Sequence, residues 1–367
     1  MKHMIPCGLL AAVTVFGSAA TASAQAAPVW EPKNTRAFIL CLAKFKGEKV
    51  ASFSTDDRLD DDFVEMFKDR GVPDDQVVFL QDKKATTAAA RKKFPELLAD
   101  SRKDETLIVY VGSHGSYDAD AGTYEFSTYD GDLPFTWVFD TIERNFKGSQ
   151  AIIFVDCCYS GGMAELAQRR RSPIRYAVLT STCSHNVAWS QWRFVQCLIR
   201  GFEGEALLDL NGSGSIDLAK LATYTERYMA FAAEGKPIFV TTNGFNPRLQ
   251  LAVDVDKKKA NPQIGKFVEV RVDGKWHKGE IEDVKGKRYA VRFVDSDGPD
   301  DDVFDPADIR FFKAPQFPVG TRVQVKGASS GKWYKATVLS SSEPLTYVRF
   351  DGYSAAYDEW VGPSRIR

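Results

Sequence analysis

Two short segments of this 367-residue chain place a reactive side chain and a glycine directly after an apolar, strand-like run. Leu107-Ile108-Val109-Tyr110-Val111 leads into Gly112-Ser113-His114-Gly115, and Ala151-Ile152-Ile153-Phe154-Val155 leads into Asp156-Cys157-Cys158-Tyr159-Ser160-Gly161. A thiol of ordinary pKa is only a few per cent thiolate near neutrality. A neighbouring imidazole accepts its proton, raises the nucleophilic fraction and later protonates a leaving amine. Cys158 as nucleophile and His114 as general base would therefore suit attack on an amide carbonyl, if the fold brings them together. The glycine after His114 allows close backbone approach, so the Gly115 N–H, with that of Cys158, is the expected oxyanion hole.

The elements around these residues are expected to bring them together. Both apolar runs are continuous rather than alternating, as in central parallel strands covered on both faces. Adjacent parallel strands deliver their C-terminal ends to one edge of the sheet, where α/β proteins place their sites. From Arg36 to about Val255 short apolar runs alternate with amphipathic stretches, which predicts an α/β domain with a largely parallel sheet. The expected strands are 37–43, 77–80, 107–111, 151–155, 177–180 and 238–241, and the expected helices 58–69, 86–101, 136–145, 162–169, 193–202 and 218–233. In the first helix Leu59, Phe63, Met66 and Phe67 share one face, and Gly71 stops it.

The segments Gly112-Ser113-His114-Gly115 and Asp156-Cys157-Cys158-Tyr159-Ser160-Gly161 resemble the His-Gly and D-x-C-x-S-G motifs of the caspase-like cysteine peptidases, which include metacaspases and legumains. Leu80-Gln81-Asp82-Lys83-Lys84-Ala85-Thr86 is similar to the strand-loop-helix before their histidine strand, and the likeness spans roughly Arg36 to Val255. The resemblance implies a caspase-like, mostly parallel sheet flanked by helices over residues 34–256, and an endopeptidase that works through a covalent acyl-enzyme. It makes Cys158 the nucleophile and Cys157 an inert neighbour packed beneath. The Gln-Ala-Cys pattern of caspases proper is absent, so an Asp-specific pocket is not implied. As in metacaspases, Asp156 would help line a pocket for Arg or Lys; the alternative is that it caps the turn into the next helix. Ser181 and Thr182 would form the second wall, where the second pocket aspartate of metacaspases has no match. The resemblance leaves the residue before the cut bond open between Arg or Lys and Asn or Asp. His185 is a rival base in the same loop, but it lacks the following glycine and follows a shorter apolar run.

Forty-eight basic against forty-nine acidic residues leave a net charge of −1 and no electrostatic footprint for nucleic acid. Lys2 and His3, an apolar stretch from Met4 to Phe16 and the small residues Ala22-Ser23-Ala24 read as a signal peptide over residues 1–24, and so as a secreted or periplasmic protein without a membrane span in its mature form. Cys7 leaves with that segment. Five cysteines remain, an odd number that leaves at least one thiol unpaired, and no CxxC spacing suggests structural zinc. No cofactor is expected. Asp209-x-Asn211-Gly212-Ser213 mimics the start of a calcium loop, but its twelfth position is Lys220 where a bidentate Glu is required. An Asx-rich turn capping the next helix is therefore expected, with calcium at Asp209, Asn211 and Ser213 as the alternative.

Lys257–Gln263 reads as a linker, and an internal repeat follows it. Gly274-Lys275-Trp276-His277-Lys278 recurs as Gly331-Lys332-Trp333-Tyr334-Lys335, Val291-Arg292-Phe293 as Val348-Arg349-Phe350, and Pro306-x-x-Ile309-Arg310 as Pro363-x-x-Ile366-Arg367, all about 57 residues apart. Residues 264–313 and 317–367 are thus expected to form two small all-β barrels, each of five strands, with His277 at the surface. Tyr347-Val348-Arg349-Phe350-Asp351-Gly352 and Asp358-Glu359-Trp360-Val361 most clearly resemble SH3-like Tudor and chromo-barrel modules. Trp333, Tyr353, Tyr357 and Trp360 are candidates for an aromatic cage or, alternatively, for core. The expected partners are a protein or peptide substrate and an unknown peptide or surface ligand for the barrels. The rival to the peptidase reading is an inactive caspase-like scaffold that presents the two barrels.

Overall fold

The computed structural model describes residues 27–367 apart from 48–49, 57, 188–191, 210, 256–260, 295–301, 313–316 and 329; the expected signal peptide and much of the expected linker lie outside the described residues. The first domain runs β1 (Thr35–Cys41), α1 (Asp60–Asp69), β2 (Val77–Gln81), α2 (Thr87–Ala99), β3 (Thr106–Gly112), β4 (Gly115–Asp118), β5 (Thr123–Ser127), β6 (Asp132–Pro134), α3 (Phe135–Asn145), β7 (Gln150–Asp156), α4 (Gly161–Arg169), β8 (Arg175–Thr180), α5 (Arg193–Glu203), β9 (Ser215–Asp217), α6 (Leu218–Ala233), β10 (Ile238–Thr241) and β11 (Gln250–Val253). Its main sheet has the order β10-β8-β7-β3-β1-β2, parallel except for β10.

Strands with every second residue apolar on each face force a three-layer arrangement. Ala37, Ile39 and Cys41 of β1 join the core under α1, α5 and α6, while Phe38 and Leu40 join the core under α2, α3 and α4. Burying both faces holds the sheet edges in register, and that register positions the site. β3 and β7 pair directly, with Gly112 opposite Asp156, and the ladder runs one step further through the Ser113 N–H donating to the Asp156 carbonyl at 3.1 Å.

Two antiparallel sheets follow. The first contains β12 (Phe267–Val272), β13 (Lys275–Lys285), β14 (Arg288–Phe293), β15 (Asp302–Phe304) and β16 (Ile309–Phe311), and the second β17 (Arg322–Lys326), β18 (Trp333–Ser342), β19 (Leu345–Phe350) and β20 (Glu359–Val361). The sequence repeat has a physical meaning here. β13 bulges between Ile281 and Asp283, and β18 bulges between Val338 and Ser340, at the same offset. Arg310 stacks over Trp276 at 4.2 Å and Arg367 over Trp333 at 3.9 Å, so the repeated tryptophan and arginine are cation–π partners. Where the first barrel has its fifth strand, the second has a single bridge, Val325 to Ile366.

Candidate active site

The C-terminal ends of β3 and β7 carry the two motifs to one sheet edge, as parallel neighbours must. His114 and Cys158 both keep partial solvent access, whereas Cys157 is buried and its thiol is pushed well above the usual range by burial. A side-chain carbon on Gly115 would lie 2.1 Å from the Cys158 carbonyl oxygen and 2.8 Å from the Cys157 sulfur. Only glycine lets the histidine turn lie against the cysteine turn. The chain reverses straight after Cys158. Tyr159 adopts a left-handed conformation at φ 59°, and its N–H donates to the Asn186 carbonyl at 2.9 Å. For a residue with a side chain this backbone costs about 1–2 kcal/mol.

The loop after β1 fixes the imidazole. The ring lies 5.0 Å from the Phe45 ring and 4.2 Å from the Phe53 ring, and Nε2 is 2.7 Å from the Ala51 carbonyl oxygen. A carbonyl can only accept, so Nε2 carries the proton and Nδ1 is the basic nitrogen. Asp82 holds the start of this loop by accepting from the Ala43 and Lys44 amides at 2.8 and 3.0 Å and from Arg58 at 2.7 Å. Burial alone would raise the Asp82 carboxyl, but Arg58 and those amides hold it below the usual range. Neither Ala51 nor the role of Asp82 was foreseen from sequence. A backbone acceptor leaves no mark on residue type, whereas Asp82 lay inside a segment already singled out.

Asp156 sits at the end of β7. Burial pushes it up to about 6. Among the described residues no arginine or lysine forms an ion pair with it. The helix-capping alternative is not realised: Ser160 occupies the cap of α4, and that helix start has no side-chain cap. Ser181 and Thr182, expected to face a substrate, are instead nearly closed to solvent at 1% exposure each. Ser181 donates its N–H to the Val155 carbonyl, while Thr182 exchanges bonds with Ser160 at 3.1 and 3.2 Å, so they pin the loop to the start of α4. His185, the rival base, lies 3.4 Å from the Cys183 sulfur, and its ring packs 4.5 Å from that of Tyr357. His277 is half-buried against Phe293 rather than at the surface.

Residues 35–264 match the Caspase domain family, well over half of the chain. The chain belongs to the caspase-domain family. That family is one of cysteine peptidases, whose substrates are proteins. Residues 265–311 of this caspase-domain protein match the Agenet domain, a Tudor-like binding module. Among solved structures the chain is similar to a protein from Geobacter sulfurreducens, with 15% identity, 60% of this chain and 99% of that chain covered, and a TM-score of 0.44. It is also similar to caspase-1 from Spodoptera frugiperda, with 16% identity, coverage of 56% and 86%, and a TM-score of 0.42. Curated proteins give no match.

The calcium alternative meets a specific arrangement. The Lys220 ammonium donates to Asp209 at 2.5 Å, Asn211 at 2.9 Å, Ser213 at 2.6 Å and the Ser215 carbonyl at 2.8 Å. These are the first, third, fifth and seventh positions of the loop, and the twelfth residue supplies the cation in place of a ligand to one. Asp217, as expected of an Asx cap, accepts from the Lys220 N–H and starts α6. Among the described residues no cluster of three or more His, Cys, Asp or Glu converges as a metal site, and no helix is long and apolar enough to cross a membrane. Among the same residues none of the five cysteines is joined in a disulfide.

Proposed function

We propose that this chain is an exported cysteine endopeptidase in which Cys158 is the nucleophile and His114 the general base. The observation that carries the reading is the Ala51 carbonyl bonded to His114 Nε2, because it commits Nδ1 to accepting a proton at the sheet edge where Gly115 lies against Cys158. In this reading Nδ1 takes the thiol proton and the thiolate sulfur attacks the peptide carbonyl carbon. The resulting oxyanion is held by the Gly115 and Cys158 N–H groups. The C–N bond then breaks, His114 protonates the departing amine, and water hydrolyses the thioester with His114 again as base. A carboxylate without an internal cation favours Arg or Lys before the cut bond, because a cationic side chain would supply the partner that Asp156 lacks. The apolar stretch and small-residue site within residues 1–24 support export and a secreted or periplasmic setting.

Cys158→Ala is expected to lower turnover of a peptide library by at least about 1,000-fold while circular dichroism stays native. Retained turnover would remove Cys158 from the chemistry. A wild-type chain that neither cleaves peptides nor is labelled by a thiol-directed peptide electrophile would point to the scaffold reading.

A further inference from the structure

The second barrel lies on the loop after β8. β8 runs parallel to β7, so its C-terminal end emerges at the sheet edge that carries Cys158; β10 is antiparallel, so Lys236, just before it, emerges there too. The loop is tightly joined to the candidate site. Asn186 accepts from the Tyr159 N–H, and a side-chain carbon on Gly161 would meet the Ser184 nitrogen at 2.4 Å. Between this loop and the barrel lies a pocket of about 160 Å³ lined by Tyr334, Phe350, Tyr353 and Tyr357 of the barrel and by His185 and Asn186 of the loop. The aromatic walls support one another edge-on: Tyr353 lies 6.1 Å from Tyr334, 6.2 Å from Phe350 and 5.3 Å from Tyr357.

Size and charge restrict what such a pocket takes. A cavity of roughly 150 Å³ lined by apolar side chains holds one benzene-sized molecule, whereas small-molecule sites run from about 300 Å³ upward. This pocket therefore fits one side chain. The site has the aromatic walls of a cation cage, but the Lys236 ammonium already lies 5.8 Å from the Tyr357 ring centre, and the carboxylate at the rim, Glu359, is bonded to Arg365 at 2.5 Å. The cationic place beside this ring is thus already taken by Lys236, around which Glu359, Asp358 and Glu226 lie, and a second cation entering here would meet its repulsion. The aromatic-cage expectation is corrected in its membership too. Trp333 faces Arg367 and Trp360 packs on Tyr347 and the main core, so neither lines the pocket.

We infer that the second barrel completes the substrate cleft, and that its aromatic pocket is a subsite for a large apolar side chain of the peptide, a few residues from the cut bond. The inference rests on the peptidase reading. Asn186 links the two, since its backbone is one hydrogen bond from the residue after Cys158 and it also lines the pocket. An extended peptide advances about 3.3 Å per residue, so a strand crossing the site reaches the loop within a few residues.

The test profiles cleavage of a positional peptide library by the full-length wild type and by Tyr353→Ala, Tyr357→Ala and Trp333→Ala. At one fixed position wild type is expected to prefer Phe, Tyr or Leu over Ala, and the two pocket variants to reduce that ratio of kcat/KM about tenfold or more. Trp333→Ala, outside the pocket, is expected to keep the ratio, which separates loss of the pocket from a loosened barrel. Wild-type cleavage with a profile that Tyr353→Ala and Tyr357→Ala leave unchanged would overturn the subsite and spare the peptidase reading. A preference for lysine or trimethyllysine lost in those variants would overturn the apolar occupant. A wild type that cleaves nothing in the library would overturn both readings.

Discussion

The two barrels share a sheet plan down to the position of a bulge, yet they hold the caspase domain by opposite means. The first is anchored by buried charge. Glu280 of β13, 2% exposed, accepts from Tyr224 at 2.8 Å and lies 3.5 Å from Arg200, itself 1% exposed and in contact with the faces of Tyr224 and Tyr228. Arg193 adds a bond to the Val294 carbonyl, and Phe231 stacks on Phe267 at 4.2 Å. The second barrel has Thr337 where the first has Glu280, and it docks through apolar Leu345 and Trp360. A buried ion pair tolerates little displacement, because desolvated charges depend on each other's geometry. An apolar seat sets no such demand and leaves aromatic surface for other uses. One repeat thus became a fixed anchor, while the other kept an open pocket beside the candidate site.

This contrast is sharpest in a matched pair of substitutions. Glu280→Ala would leave the buried Arg200 guanidinium with Glu205, 3.7 Å away, as its remaining carboxylate, an expected loss of about 3 kcal/mol. Thr337→Ala, at the equivalent point of the second barrel, is expected to cost no more than about 0.5 kcal/mol. Denaturant unfolding of the full chain reads both, and equal losses would erase the distinction. Smaller in size is a pH effect confined to the first barrel. Burial pushes the Glu280 carboxyl up to about 7 from an ordinary 4.5. The folded state then holds a proton that the unfolded chain releases, so this contribution is complete below about pH 4.5 and is lost as pH rises through about 7. Melting temperatures between about pH 5 and pH 8 should fall more for wild type than for Glu280→Gln, and parallel curves would contradict the assignment. The smallest expected effect is one on which the barrels should agree. Trp276→Ala and Trp333→Ala each remove one exposed cation–π pair worth about 0.5–1 kcal/mol, and clearly unequal losses would show that the repeat is not energetically symmetric.

What could be read from residues alone divides along physical lines. Continuous apolar runs before His114 and Cys158 marked two central strands, and the strands do lie side by side with Gly112 opposite Asp156. The helix at 218–233 was legible to the residue because Asp217 caps it and the apolar spacing persists to its end. The hairpin of β4, β5 and β6 was missed, since short strands of polar and glycine residues carry no periodic signal. The offset of about 57 residues announced two related barrels, but it could not show which aromatic faced which way. Trp333 and Tyr334 are neighbours on one strand and so point to opposite faces, and only the placement of Arg367 decides that the tryptophan is outside the pocket. Glu280 looked like an ordinary strand glutamate, because its partner Arg200 is eighty residues away in sequence.

The loop around Lys220 bears on how such a protein is controlled. Where calcium loops wait for a dissolved ion, this one carries a positive centre on its own Lys220 side chain, covalently tethered and never lost by dilution. The first turn of α6, the helix against which both barrels pack further along, is thereby tied to four oxygens of the preceding loop by a cation that is part of the helix itself.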